Sequence, residues 1–301
     1  MKLVISASPH IDSGATTRKI MGDVLIALCP ALIAAIVIFG WRALLVTAAC
    51  AAACVFFEWG FERLCHKPST IGDLSAVVTG VILAYNLPVS IPLWQAVFGC
   101  LVAIVAVKQL FGGIGKNFAN PALVGRIVLF LSFSKTMTAW VFPDAVSSAT
   151  PLAQLAAGQK PELWTLLLGN HGGCIGETCA LALLLGGAYL LLRGVITWQT
   201  PVCFVGTVFV LSLILGQDAV RQILSGGLLL GAFFMATDYV TAPQTCWGRA
   251  LFGIGAGLLT CLIRFYGSYA EGVSFAILFM NILTPYLSKW TRSKPLGGVP
   301  A

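Results

Sequence analysis

Three short stretches of this 301-residue sequence hold polar groups in patterns that could do chemistry. The first, Asp144-Ala-Val-Ser147-Ser148-Ala-Thr150-Pro151-Leu152, sets an acid, small residues and a threonine hydroxyl ahead of a proline. Proline fixes its own φ and restricts the residue before it, and small side chains let another macromolecule approach the backbone closely. The same pattern suits a turn in which Thr150 caps a helix, so both readings stand on composition. The second stretch, Asn117-Phe-Ala-Asn120-Pro-Ala-Leu-Val-Gly-Arg126, offers two amides, each a donor and an acceptor. The third, Met235-Ala-Thr-Asp238-Tyr-Val-Thr-Ala-Pro243, offers a carboxylate. These groups could meet the polar edge of a ligand or simply cap helix ends.

The elements that position them must lie in lipid. Hydrophobic residues make up 58% of the chain, charged residues 10%, and the mean hydropathy is +0.92. Soluble chains carry about 25% charged residues, so a conventional cytosolic enzyme and a disulfide-framed secreted domain are both excluded. A hydrocarbon core of about 30 Å needs about 20 helical residues, and buried backbone must satisfy itself internally. The apolar runs are continuous, not alternating, which predicts an all-α polytopic membrane protein with about ten transmembrane helices. The expected spans are 24–41, 43–61, 74–88, 93–110, 121–141, 177–193, 194–217, 222–237, 247–266 and 270–287. Two are weak: 74–88 breaks at Asn86-Leu87-Pro88, and 121–141 carries Arg126 and Lys135. The organisation expected is a five-helix half over 1–141, an outer loop over 142–176 and a second five-helix half over 177–301. An odd number of spans per half invites two inverted repeats, each with one short broken helix.

The net charge of +7 does not predict nucleic-acid binding, because the 18 Lys and Arg are scattered between apolar runs as anchors. With ten spans, 13 of those 18 fall on the side of the termini, which predicts both termini in the cytoplasm of a bacterial inner membrane and the 142–176 loop outside. Asp23, Glu58, Asp73 and Glu177 sit at span ends, where capping or ion pairing competes with a role in ion passage. Arg126 and Arg249, each after a glycine at an inner span start, read as anchors. Gly253, Gly255 and Gly257 suggest close helix packing. His10, His66 and His171 lack metal-like spacing and read as interfacial.

The first stretch resembles the flavinylation motif of a family that includes the RnfD protein of the Rnf electron-transport complex and the NqrB protein of the sodium-pumping NADH:quinone reductase. The stretches at Asn117–Asn120 and Asp238 are similar to two further segments of that family, and the resemblance covers nearly the whole chain. It departs at Ser148, where many relatives have glycine, after Asn117, where a proline is missing, and at Tyr239, where proline is usual. The absence of the longer amino-terminal extension found in the reductase protein favours the Rnf member. The resemblance implies FMN on Thr150 through a phosphodiester installed by a flavin transferase, with Ser147 and Ser148 beside it. It also implies a non-covalent riboflavin held by Asn117, Asn120 and Asp238. Implied partners are the other subunits of the Rnf complex, including a second flavinylated one, with Na⁺ or H⁺ moved as electrons pass between NADH and ferredoxin. A channel or secondary transporter without a redox cofactor is the rival expectation.

Overall fold

The structure, a computed structural model, describes residues 15–140, 149–267 and 272–292. Asp144, Ser147 and Ser148 lie outside the described residues. The main helical segments are α1 Thr17–Phe39, α2 Trp41–Leu64, α3 Ser75–Tyr85, α4 Leu93–Gln109 and α5 Pro121–Ser132, followed by α6 Ala180–Leu192, α7 Gln199–Ile214, a broken segment α8 at 219–235, α9 Cys246–Tyr266 and α10 Val273–Trp290. They follow the expected spans in order. Three of them, α1, α2 and α9, are long and apolar enough to cross a membrane by length and composition, and five others are shorter apolar helices.

The surface is unlike that of a soluble protein, while the core is largely apolar. Large apolar side chains face outward, with Val37 80% and Leu192 88% exposed, while Glu58, Asn86 and Arg126 are enclosed. Polar groups inside and hydrocarbon outside is the arrangement a bilayer selects. Glycines set the closest crossings. A Cβ on Gly186 of α6 would lie 2.2 Å from the Ala27 carbonyl oxygen of α1, and one on Gly80 of α3 2.7 Å from the Cα of Ala51 of α2. Gly253 and Gly257 of α9 meet Thr200 and Thr207 of α7 in the same way, and Gly255 meets Met280 of α10.

Two of the expected spans end early. Helix α5 stops at Ser132 rather than 141, because Phe133 leaves helical geometry at φ −130° and ψ 45° and packs its ring against Trp94, 5.2 Å between centroids. Lys135 follows in the short turn Ser134–Met137 and is exposed. Helix α3 has 11 residues, about 16 Å at 1.5 Å each, roughly half the hydrocarbon thickness. Its freed carbonyls are satisfied by a loop that dips in from the 169–179 segment: Gly176 N–H donates to Tyr85 O at 3.0 Å and Ile175 N–H to Leu87 O at 3.0 Å. A Cβ on Gly176 would sit 2.2 Å from that of Tyr85, so glycine permits the approach. Irregular backbone at this depth is tolerated because protein encloses it.

Candidate functional site: two cavities joined by a polar partition

Helix ends gather at two poles. One holds the start of α1, the 109–120 segment, the α6–α7 turn and the 236–245 segment, where Tyr239 Oη donates to Val195 O and Arg249 donates to Pro243 O at 3.1 Å. At the other pole Arg42 donates to Val89 O at 2.8 Å, and Arg264 donates to Gln222 O at 2.8 Å.

A cavity of about 290 Å³ at the first pole brings Asn117, Asn120 and Asp238 together. Its other polar lining includes Ser75 and Lys108, with apolar walls from Val24, Ile82 and Phe233. Asn120 spends both ends of its amide on the protein. Its Oδ1 accepts from Ala122 N–H at 3.1 Å, which caps α5 ahead of Pro121, while its Nδ2 donates to Met235 O at 3.4 Å. Asn117 Nδ2 donates to Ala119 O at 3.0 Å. Asp238 Oδ2 accepts from the Thr241 hydroxyl at 3.0 Å. Burial pushes the Asp238 carboxyl above the ordinary carboxylate range, against the hydrogen bonds from Thr241 and the backbone of Val240 and Tyr239.

Thr150 lies at the other pole and lines a second cavity of about 300 Å³ with Arg126, His171 and Glu177. Both volumes are at the lower end of the range for small-molecule sites, about 300–1,000 Å³. Thr150 is the N-cap of Pro151–Ala156, its Oγ1 accepting from Ala153 N–H at 3.4 Å. That bond uses a lone pair of the oxygen, so capping and esterification of the hydroxyl are compatible. Glu177 Oε1 accepts from Cys174 N–H at 3.1 Å, and Glu177 Oε2 and His171 Nε2 are buried without a hydrogen-bond partner among the described residues.

Between the cavities runs a polar partition that sequence reasoning missed. Arg126, on the second turn of α5, is 5% exposed and donates to Asn86 Oδ1 at 2.9 Å and Ser274 Oγ at 2.6 Å. Asn86 Nδ2 donates to Ile82 O at 2.7 Å and to Met235 Sδ at 3.4 Å, and Met235 O is the acceptor for Asn120. The chain Asn120, Met235, Asn86, Arg126 thus links the two cavities. Arg126 is an interior member of this network and not the surface anchor expected; a cation within an apolar run was the signal available.

The other span-end acids are partnered. Glu58 pairs with Lys108 at 2.7 Å, Asp23 with Arg193 at 3.3 Å, and Asp73 Oδ1 accepts from Ser75 N–H at 2.8 Å. Lys108 also donates to Ser75 Oγ at 2.6 Å, so a buried ion pair stands beside the first cavity.

The model of the NQR2, RnfD, RnfE family matches residues 4–297. The chain belongs to that family. The D component of the Na(+)-translocating ferredoxin:NAD(+) oxidoreductase complex of Acetobacterium woodii is 46% identical over 305 residues, covering 99% of this chain and 96% of that protein. The D component of the proton-translocating ferredoxin:NAD(+) oxidoreductase complex of Clostridium ljungdahlii is 40% identical, covering 97% and 96%. The D component of the ion-translocating oxidoreductase complex of Halorhodospira halophila is 36% identical, covering 97% and 94%. The NQR2, RnfD, RnfE family thus spans relatives named for different cations, and residues common to all of them cannot by themselves choose between Na⁺ and H⁺.

Proposed function

We propose that this chain is the RnfD-type membrane component of an Rnf ion-translocating oxidoreductase complex, carrying FMN as a phosphodiester on Thr150, and that it works only in the assembled complex. The observation that supports this most is the position of Thr150: it lines a cavity with a cation, a carboxylate and an imidazole in its lining, one buried partition away from the Asn117–Asp238 cavity. The bound flavin would supply the electron transfer, and the protein's part is to place and tune it. Thr150 supplies the anchoring oxygen, and aromatic Trp140 and Phe275 offer flat apolar wall.

The first cavity fits a second, non-covalent riboflavin. Asn117, Asn120 and Asp238 bring amide donors and acceptors to one cavity, as the edge of an isoalloxazine requires. The Arg126–Asn86–Met235 partition keeps the two cavities apart. In the assembled complex, electron flow between NADH and ferredoxin on neighbouring subunits, including a second flavinylated one, is coupled to movement of Na⁺ or H⁺.

The test is covalent flavin. Coexpressed with a flavin transferase, the denatured chain should carry flavin fluorescence on a gel, and Thr150→Ala should abolish it while membrane insertion persists. Fluorescence that survives the substitution would place the attachment elsewhere, and a channel or secondary transporter would show none in either chain.

A further inference from the structure

We infer that His171 and Glu177 hold the ring of the flavin carried on Thr150, accepting its N–H groups at the imidazole Nε2 and the carboxylate Oε2; this rests on Thr150 being the attachment point. Both residues line the cavity that Thr150 lines. His171 Nδ1 lies 3.2 Å from Gly172 O, which places the proton of the neutral ring on Nδ1 and leaves Nε2 a bare acceptor. Burial holds the imidazole below its ordinary pKa, against the backbone of Gly172 and Thr178 and the Glu177 carboxylate.

Glu177 presents a second acceptor. Its Oε1 is occupied by Cys174 N–H, while Oε2 faces the bare α-carbon of Gly227, where a Cβ would come within 2.9 Å. Both Nε2 and Oε2 are buried without a hydrogen-bond partner among the described residues. Buried acceptors are ordinarily satisfied, and two without a partner on residues that line one cavity call for a ligand that brings donors. Trp140 and Phe275 add aromatic walls to the same cavity, which suits a flat ring carrying N–H over a sugar or a hydrated ion. An isoalloxazine has one such N–H when oxidised and more when reduced, so acceptors here match the group the anchor would carry.

The experiment uses the assembled complex from cells holding a flavin transferase and measures iodide quenching of the covalent flavin's fluorescence. Attachment is scored separately, by fluorescence of the denatured chain. Expected is weak quenching in the parent, a severalfold larger Stern–Volmer constant in His171→Leu with attachment unchanged, and a return toward the parent value in His171→Gln, which restores an acceptor. A general loosening of the cavity would not be rescued by glutamine. Equal quenching in all three with flavin attached overturns the inference and leaves the Thr150 reading standing; no attached flavin in the parent overturns both. Should His171→Leu fail to assemble, Gly227→Ala, which crowds Glu177 Oε2, must raise quenching in the same way, and unchanged quenching there also overturns the inference.

Discussion

Arg126 sits inside an apolar bundle with acceptors built around it: Asn86 Oδ1 and Ser274 Oγ both receive its N–H groups. Removing one acceptor from a buried guanidinium costs about 1–3 kcal/mol. Asn86→Leu should therefore lower the midpoint of thermal unfolding in detergent, whereas Asn86→Asp, which keeps an acceptor, should lower it less; equal losses would mean that packing and not the bond matters. Asp238 makes a second residue-scale test. Its folded pKa lies above the unfolded-chain value of about 3.9, so folding takes up a proton. Stability supplied by the neutral acid is full below that unfolded value and is lost as pH rises through the folded one. Asp238→Asn, which cannot ionise, should flatten the fall in thermal stability on going from acid to neutral pH, and an unchanged pH profile would show that burial does not act on this group. Asn117, Asn120 and Asp238 were legible as polar groups beside helix breaks, and the structure collects them in one cavity. His171 was not: an isolated histidine in a loop has no spacing to betray it, and only the fold sets it beside Thr150 in one cavity.

Element boundaries were legible where apolar composition dictates them and not where one element completes another. The runs at 24–41 and 247–266 fall within or near α1 and α9, since a continuous hydrophobic run leaves a helix as the only satisfied backbone. The early end of α3 was visible as Asn86-Leu87-Pro88, yet the loop that repairs it lies far along the chain, and a single glycine makes the contact possible. Gly176→Ala should be strongly disruptive, because the added methyl would meet an enclosed tyrosine with packed protein behind it. The crossing of α7 with α9 gives a graded companion. A Cβ on Gly257 would lie 2.7 Å from Thr207 Cβ and 3.0 Å from Phe204 O, so Gly257→Ala should cost about 1–3 kcal/mol of overpacking. Gly206 on α7 has open space where a Cβ would sit, and Gly206→Ala should be neutral or slightly stabilising in the same thermal assay.

At the scale of the molecule, the two poles differ in charge as well as in contents. Arg18, Lys19, Arg63, Lys67, Lys116, Arg193, Arg249, Lys289 and Arg292 belong to the pole with the Asn117–Asp238 cavity, and Arg42, Lys135, Lys160, Arg221 and Arg264 to the pole with Thr150. Basic residues near span ends are retained on the cytoplasmic side during insertion, so the first pole should face the cytoplasm and Thr150 the outside. With that orientation, a flavin on Thr150 would be reached from the outer side, and the Asn117–Asp238 cavity from the cytoplasmic side. A reporter that works only outside the cytoplasm, fused after Gln159, should be active, while the same reporter fused after Gly194 in the α6–α7 turn should be silent. Activity at both positions would mean that α6 does not cross, and the reverse pattern would invert the whole assignment. Moving charge supplies a further check on the cause. Neutralising Arg193, Arg249 and Lys289 together should produce a mixed reporter pattern if the basic pole sets orientation, and an unchanged pattern would shift that role to the start of α1, where Arg18 and Lys19 lead the first apolar run into the membrane.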